Sequence, residues 1–271
     1  MSVQKKLKAV PAELGRSLPK RDEPLHGDLV PYVYNNKLGP WISHPLIVGP
    51  AMPGYFYLTN RNYLAKRKAA KEYLRNHAWT NYVFLYERPY RVNALMRCRD
   101  AGLRGREYWE QLRAWWEDSN NIYQNRANWR RLWGVPDEGR EYVMEENERS
   151  YLAKLPEEIT VYRGCGRKNE RGLSWTTDRN VAEWFANRFA FRNKRPGYVF
   201  TGTVKHNEIL AAFTHDGIAS EEEIVSDCVH IVSVEQASSE RAALYQERVS
   251  QAHKEFWEPL RKKAQAAARA A

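Results

Sequence analysis

An α+β fold is predicted by three features of the sequence. Apolar residues recur at helical spacing through residues 106–155, short strand-like runs follow between 159 and 235, and one long helical stretch covers 237–271. The organisation read from these features is a loop-rich arm with a basic helical region over 1–105, a helical front followed by a strand-rich core over 106–235, and a C-terminal helix over 236–271.

Residues 1–55 are rich in Pro and Gly and show no sustained period, so they read as an extended or loop-rich arm. From Asn60 the pattern becomes helical, with Tyr63, Leu64, Tyr73 and Leu74 on helical spacing and Lys66, Arg67, Lys68 and Lys71 among them. That charge run reads first as a solvated helix face and second as a face that contacts phosphates. Trp109, Leu112 and Trp116 fall at i, i+3, i+7, as do Ile122, Asn125 and Trp129, with Trp133 four residues on. Two helices around a polar break follow, with the tryptophans as core. A third helix around Glu141–Leu155 stops before Pro156.

Beyond Pro156 the runs shorten. Strands are expected at Ile159–Tyr162, Leu173–Thr177, Tyr198–Lys205, Ile209–Thr214, Glu223–Val225 and Cys228–Val234. Asp178 opens a helix over Arg179–Phe189, and Pro259 can bend the C-terminal helix.

Composition narrows the class. No apolar run approaches the ~18–20 residues that cross a bilayer, and the first residues lack the apolar core of a secretory signal. Cys98, Cys165 and Cys228 are too far apart for a zinc site or a disulfide framework, and a reducing cytoplasm is expected. A net charge of +10 and a pI near 9.4 favour a polyanionic partner. The basic termini (Lys5, Lys6, Lys8, then Arg261, Lys262, Lys263, Arg269) carry much of that surplus. The 10 Trp and 16 Tyr are mostly core, and those beside basic residues can stack exposed bases.

The sequence has no Walker loop, HExxH, GxSxG or Cys/His cluster. His206 and His215 fall near the region of interest without a nameable partner. What remains is an ordered constellation: Tyr162-Arg163-Gly164 ending one strand, Ser174-Trp175-Thr176 in another, then Glu221-Glu222-Glu223 leading into Ile224-Val225. Glu223 leads into Ile224-Val225 and so starts a strand, and alternation then puts Glu221 and Glu223 on one face and Glu222 on the other. Two carboxylates on one face suit general-base and charge-stabilising work. Taken singly, each motif also reads as an ordinary surface arginine, strand filler or acidic turn.

In that order the three motifs resemble the arginine / Ser-x-Ser-or-Thr / Glu-x-Glu pattern of ADP-ribosyltransferases, the branch of bacterial exotoxins and arginine-modifying vertebrate enzymes. Gly172–Asp178 with Ala182–Ala186 is also similar to transferase-like proteins of phages and prophages. The motif-bearing resemblance covers residues 159–235, about a quarter of the chain. It implies a split mixed or antiparallel β core, a catalytic domain over 106–235, and NAD as the substrate with no metal. It further implies that Glu223 stabilises the cation formed as the nicotinamide–ribose bond breaks. Ser174 would hold Glu223 or the ribose, and Thr176 would stiffen the strand beneath. Arg163 with Gly164 would bind the cofactor's phosphates or ribose, and Glu221 would orient or deprotonate the acceptor.

For the acceptor, charge and aromatic content favour nucleic acid, RNA first, with a protein arginine as the alternative. An intracellular toxin or phage effector fits either, and such a toxin requires a neutralising partner. A reading of another class is a non-catalytic nucleic-acid-binding or virion protein with a relict transferase fold.

Overall fold

A computed structural model of the chain describes residues 21–119, 122–214 and 221–269. The protein is α+β, built from helices, antiparallel sheets and a C-terminal helix. Two compact units, Met1–Ala94 and Leu95–Ala271, make up the chain. Among the described residues no helix is long and apolar enough to cross a membrane.

In the first unit, β1 (Val33–Asn36), β2 (Gly39–His44) and β3 (Ile47–Pro50) form an antiparallel meander in that order. The sequence suggested a loop-rich arm here. Strands of four to six residues are too short to show a period, and Pro40 and Pro50 lie next to strand ends, where a missing ladder N–H is tolerated. The basic residues Lys5, Lys6 and Lys8 lie outside the described residues. Gly39 takes the positive φ of 107° that closes the turn between β1 and β2.

Helix α1 (Phe56–Arg75) buries Asn60, Tyr63 and Ala70. The Asn60 side chain accepts from the His26 N–H and donates to Glu23 and to the Pro24 carbonyl. Tyr63 donates to Asp28 at 2.7 Å, and this bond is the main reason the Asp28 carboxyl sits below its usual pKa. Helices α2 (Trp79–Leu85) and α3 (Arg91–Asp100) follow.

The second unit begins within α3 and continues with α4 (Gly105–Glu117) and α5 (Arg126–Trp133), the two helices expected from the tryptophan spacing. Trp109, Trp116, Trp129 and Trp133 are fully buried, and Trp116 meets Trp129 and Trp133 edge-on at 5.1 and 5.4 Å. The Trp129 and Trp133 indole N–H groups find no acceptor among the described residues. Helix α6 (Glu146–Lys154) begins with a capping box between Glu145 and Glu148. Glu148 is buried, pairs with Arg113 of α4, and accepts from the Thr214 N–H at 3.2 Å.

The strands are β4 (Glu158–Cys165), β5 (Ser174–Thr176), β6 (Tyr198–Lys205), β7 (Ala211–Phe213), β8 (Glu223–Val225) and β9 (His230–Gln236). They form one sheet in the order β7-β8-β5-β4-β6-β9, with every pairing antiparallel. β4 runs alongside β6 from Glu158↔Lys205 to Cys165↔Tyr198, but touches β5 only at Tyr162↔Thr176. The sheet is thus two blocks, β7-β8-β5 and β4-β6-β9, joined at one register pair.

Helix α7 (Arg179–Asn193) is capped by Asp178, whose side chain accepts from the Asn180 N–H at 2.8 Å. It lies directly on the backbone of β4. A Cβ at Gly164 would stand 1.7 Å from the Ala182 carbonyl oxygen. Gly164→Ala is therefore expected to cost about 3 kcal/mol or more by overpacking. Thermal unfolding followed by circular dichroism checks this, and a melting point within about 2 °C of wild type would contradict it. Helix α8 (Ser239–Arg269) carries Pro259 within it and packs on α7. The buried Glu183 of α7 accepts from the Ser238 N–H at 2.6 Å, and Arg248 of α8 pairs with Asp178 at 2.7 Å.

Candidate active site

Antiparallel register decides which of the motif residues share a face. Thr176 stands opposite Glu223, and Ser174 opposite Val225, so Ser174, Thr176 and Glu223 point to the same side of the β5–β8 pair. Phe213 of β7 is opposite Glu223 on the other flank. Tyr162 rather than Arg163 stands opposite Thr176, so the Arg163 side chain starts from the reverse side at that register, while its guanidinium reaches the Ser174 carbonyl and feels the Glu223 charge.

Glu223 is the first residue of β8 and is partly exposed. Its carboxylate accepts from the Trp116 indole N–H, at 3.2 Å to Oε1 and 3.3 Å to Oε2. An indole N–H shared between both oxygens fixes the plane of the carboxylate from the protein side. The Ser174 hydroxyl, expected to hold Glu223, makes no hydrogen bond among the described residues. Its carbonyl instead accepts from Arg163 Nη1.

Arg163 also donates from Nε to the Asn169 carbonyl at 3.0 Å. The guanidinium thereby ties the end of β4 to the loop before β5. Gly172 lies against it, and a Cβ there would meet Arg163 Nη2 at 2.2 Å. The residue keeps some surface exposure, but burial of its guanidinium pulls its pKa below the ordinary arginine value. The neighbouring Cys165 and Glu223 oppose that fall, so Arg163 and Glu223 feel each other's charge.

Thr176 Oγ1 donates to the Glu221 carbonyl at 2.6 Å and accepts from the Asp178 N–H at 3.0 Å. It fastens the glutamate segment to β5 and to the start of α7. The segment itself is not extended. Glu222 has a φ of 44°, in the left-handed region, and Thr177 bonds both its carbonyl, at 3.2 Å, and its carboxylate. Strand alternation therefore fails across Glu221–Glu223, since a left-handed residue reverses the side-chain rhythm.

The two outer glutamates are accordingly in different surroundings. Glu223 faces Trp116. Glu221 lies close enough to Tyr245 of α8 to raise its hydroxyl pKa, which burial first of all pushes up to about 12; Asp178 and Arg248 act on the same tyrosine. His206 contacts the Leu152 carbonyl at 2.9 Å, a tether between the turn that follows β6 and helix α6. His215 lies outside the described residues. Among the described residues no group of three or more His, Cys, Asp or Glu could hold a metal ion.

Trp116 was legible only as a core residue. Nothing in its spacing couples it to Glu223, 107 positions away. If it positions the carboxylate, Trp116→Phe should keep the edge-on packing and lose the N–H. A fall of about tenfold in kcat with little change in KM is expected on removing such a support. Equal kcat values in wild type and variant would leave Trp116 a packing residue only.

Comparison with protein-family models, with curated proteins and with solved structures finds no match for this chain.

Proposed function

We propose that Arg163, Ser174, Thr176, Glu221 and Glu223 form the NAD-cleaving site of a mono-ADP-ribosyltransferase. The observation that carries this reading is the Glu223 carboxylate, oriented by Trp116 on the same strand face as the unengaged Ser174 hydroxyl, with the Arg163 charge in range. The two-block sheet with a helix across β4 supports the corresponding fold.

The residues suit a dinucleotide by charge. A carboxylate suits the cationic nicotinamide riboside end, and a guanidinium suits a pyrophosphate. In the reaction the bond between ribose C1′ and the nicotinamide nitrogen breaks, its electron pair leaves with neutral nicotinamide, and C1′ becomes cationic. Glu223 stabilises that charge and hydrogen-bonds the ribose 2′-hydroxyl. Ser174 supplies a second polar group to the ribose. An acceptor lone pair then bonds C1′, and the acceptor's proton passes to Glu221 or to water. Because Glu221 and Glu223 occupy separate environments, they can hold different protonation states.

The acceptor we favour is nucleic acid, RNA first, on the strength of the net charge of +10. A binding protein without turnover is the second reading, favoured by the two backbone carbonyls that already engage Arg163. Incubating the protein with NAD labelled in its adenylate half and with mixed lysate separates these outcomes. Label removed by nuclease supports nucleic acid, label removed by protease identifies a protein acceptor, and no label with no free nicotinamide removes the enzyme reading. Glu221→Gln is expected to lose transfer while keeping NAD hydrolysis; equal loss of both would contradict its acceptor-activating role.

A further inference from the structure

The positive surplus is confined to one part of the chain. Residues 1–94 hold 15 Lys and Arg against 6 Asp and Glu, whereas residues 95–271 hold 28 against 27. Nine of the ten surplus charges therefore belong to the first unit.

Within that unit the basic residues of α1 divide into two groups. Lys66 and Arg67 are spent on Glu87 and Asp28, at 3.0 and 2.8 Å. Arg61, Lys68, Lys71 and Arg75 are exposed and make no hydrogen bond or ion pair among the described residues. At about 100° per residue, Arg61, Lys68 and Arg75 recur on one line of the helix with Lys71 beside it, a row about 21 Å long. Glu72 is the single acidic residue on that face. Like charges at such spacing weaken a helix slightly, so the fold gains nothing from the row. A polyanion laid along it would.

The apolar side of α1 does not suit a lipid surface. Tyr63 and Ala70 are buried within the unit, and Leu58 and Leu64 are the large apolar residues of α1 left exposed, too few to make the broad apolar face a bilayer needs. The same unit instead exposes aromatic faces. Tyr34 is 48% exposed, and Phe84 is 68% exposed with the Arg91 guanidinium 5.1 Å over its ring. Unpaired bases stack on such faces. A cleft of about 510 Å³ opens at the first turns of α1, with Val48, Met52 and Leu58 as apolar walls and Asn62 as a polar group.

We propose that the first unit is a docking surface for single-stranded nucleic acid, with the phosphodiester backbone laid along Arg61, Lys68, Lys71 and Arg75. This inference stands apart from the transferase reading.

The test is fluorescence anisotropy of labelled RNA and DNA oligomers of about 20 nucleotides with the full-length protein, at about 50 to 200 mM salt. The combined variant R61Q/K68Q/K71Q/R75Q should bind at least about tenfold more weakly, and its slope of log K against log salt should be shallower by about 2.8, four phosphate contacts' worth. Its melting curve should match wild type, because none of the four side chains has a partner among the described residues. Its nicotinamide release without acceptor should also be unchanged, so either reading can fail alone. K254Q/R261Q/K262Q on α8 should leave the slope as in wild type. An unchanged slope in the α1 variant overturns the proposal. So does absence of oligomer binding by wild type, or equal affinity for polyglutamate or for anionic phospholipid vesicles.

Discussion

Glu223→Gln is expected to lower nicotinamide release from NAD by about 10²–10³, the loss typical when one electrostatic stabiliser of a developing charge is removed. The substitution keeps the shape of the side chain and leaves an amide oxygen to accept from the Trp116 indole. The β8 register with Thr176 and Phe213 is a backbone matter and should survive. Stability is therefore expected to change little while turnover collapses, a combination that separates a chemical role from a structural one. Wild-type turnover in the variant would show that another carboxylate does the work. Unfolding of the variant would show that Glu223 belongs to the fold.

The largest expected effect on stability lies at Arg113. Its guanidinium pairs with the buried Glu148, approaches Glu117 at 3.0 Å, and stands 5.1 Å over the Phe213 ring. Arg113→Met leaves the Glu148 carboxylate without its cation in a site where water does not reach. Breaking a buried pair from one side costs about 3–5 kcal/mol, which for a unit of this size lowers the melting temperature by roughly 6–20 °C. Adding Glu148→Gln removes the stranded charge but keeps an oxygen acceptor for only one of the Thr214 and Glu145 N–H groups, which bond different oxygens of the carboxylate. The double variant should recover part of the loss, with the deficit left by one unsatisfied N–H. A single variant within about 0.5 kcal/mol of wild type would contradict this account, since surface substitutions fall in that range. The effect reaches the site because Phe213 adjoins Glu223 across the β7–β8 register.

Much of the second unit could be read from periodicity alone. The i, i+3, i+7 tryptophans mark α4 and α5, Asp178 marks the start of α7, and the alternation from Tyr198 to Lys205 marks β6. These elements are long or capped, so their signals are local. The β1–β3 meander was not legible because its short strands alternate poorly and are punctuated by Pro and Gly. Four exposed residues in β1 offer no inside and outside to read.

The site was legible in composition but not in geometry. Sequence order places Arg163, Ser174 and Glu223 on β4, β5 and β8, yet only the sheet order makes these strands neighbours and only the register shows that Ser174, Thr176 and Glu223 share a face. Alternation over Glu221–Glu223 failed because Glu222 adopts a left-handed conformation, fixed by bonds from Thr177 that no local pattern announces. The partners that separate the two glutamates, Trp116 and Tyr245, come from distant helices.

The central claim is that Glu223 stabilises the cation formed when NAD loses nicotinamide. Its most direct test is chromatographic measurement of nicotinamide released from NAD by the purified full-length protein beside the Glu223→Gln variant. Release by wild type that falls by about two orders of magnitude or more in the variant is the predicted result. Absence of release by both proteins, with neither binding NAD, would contradict the account.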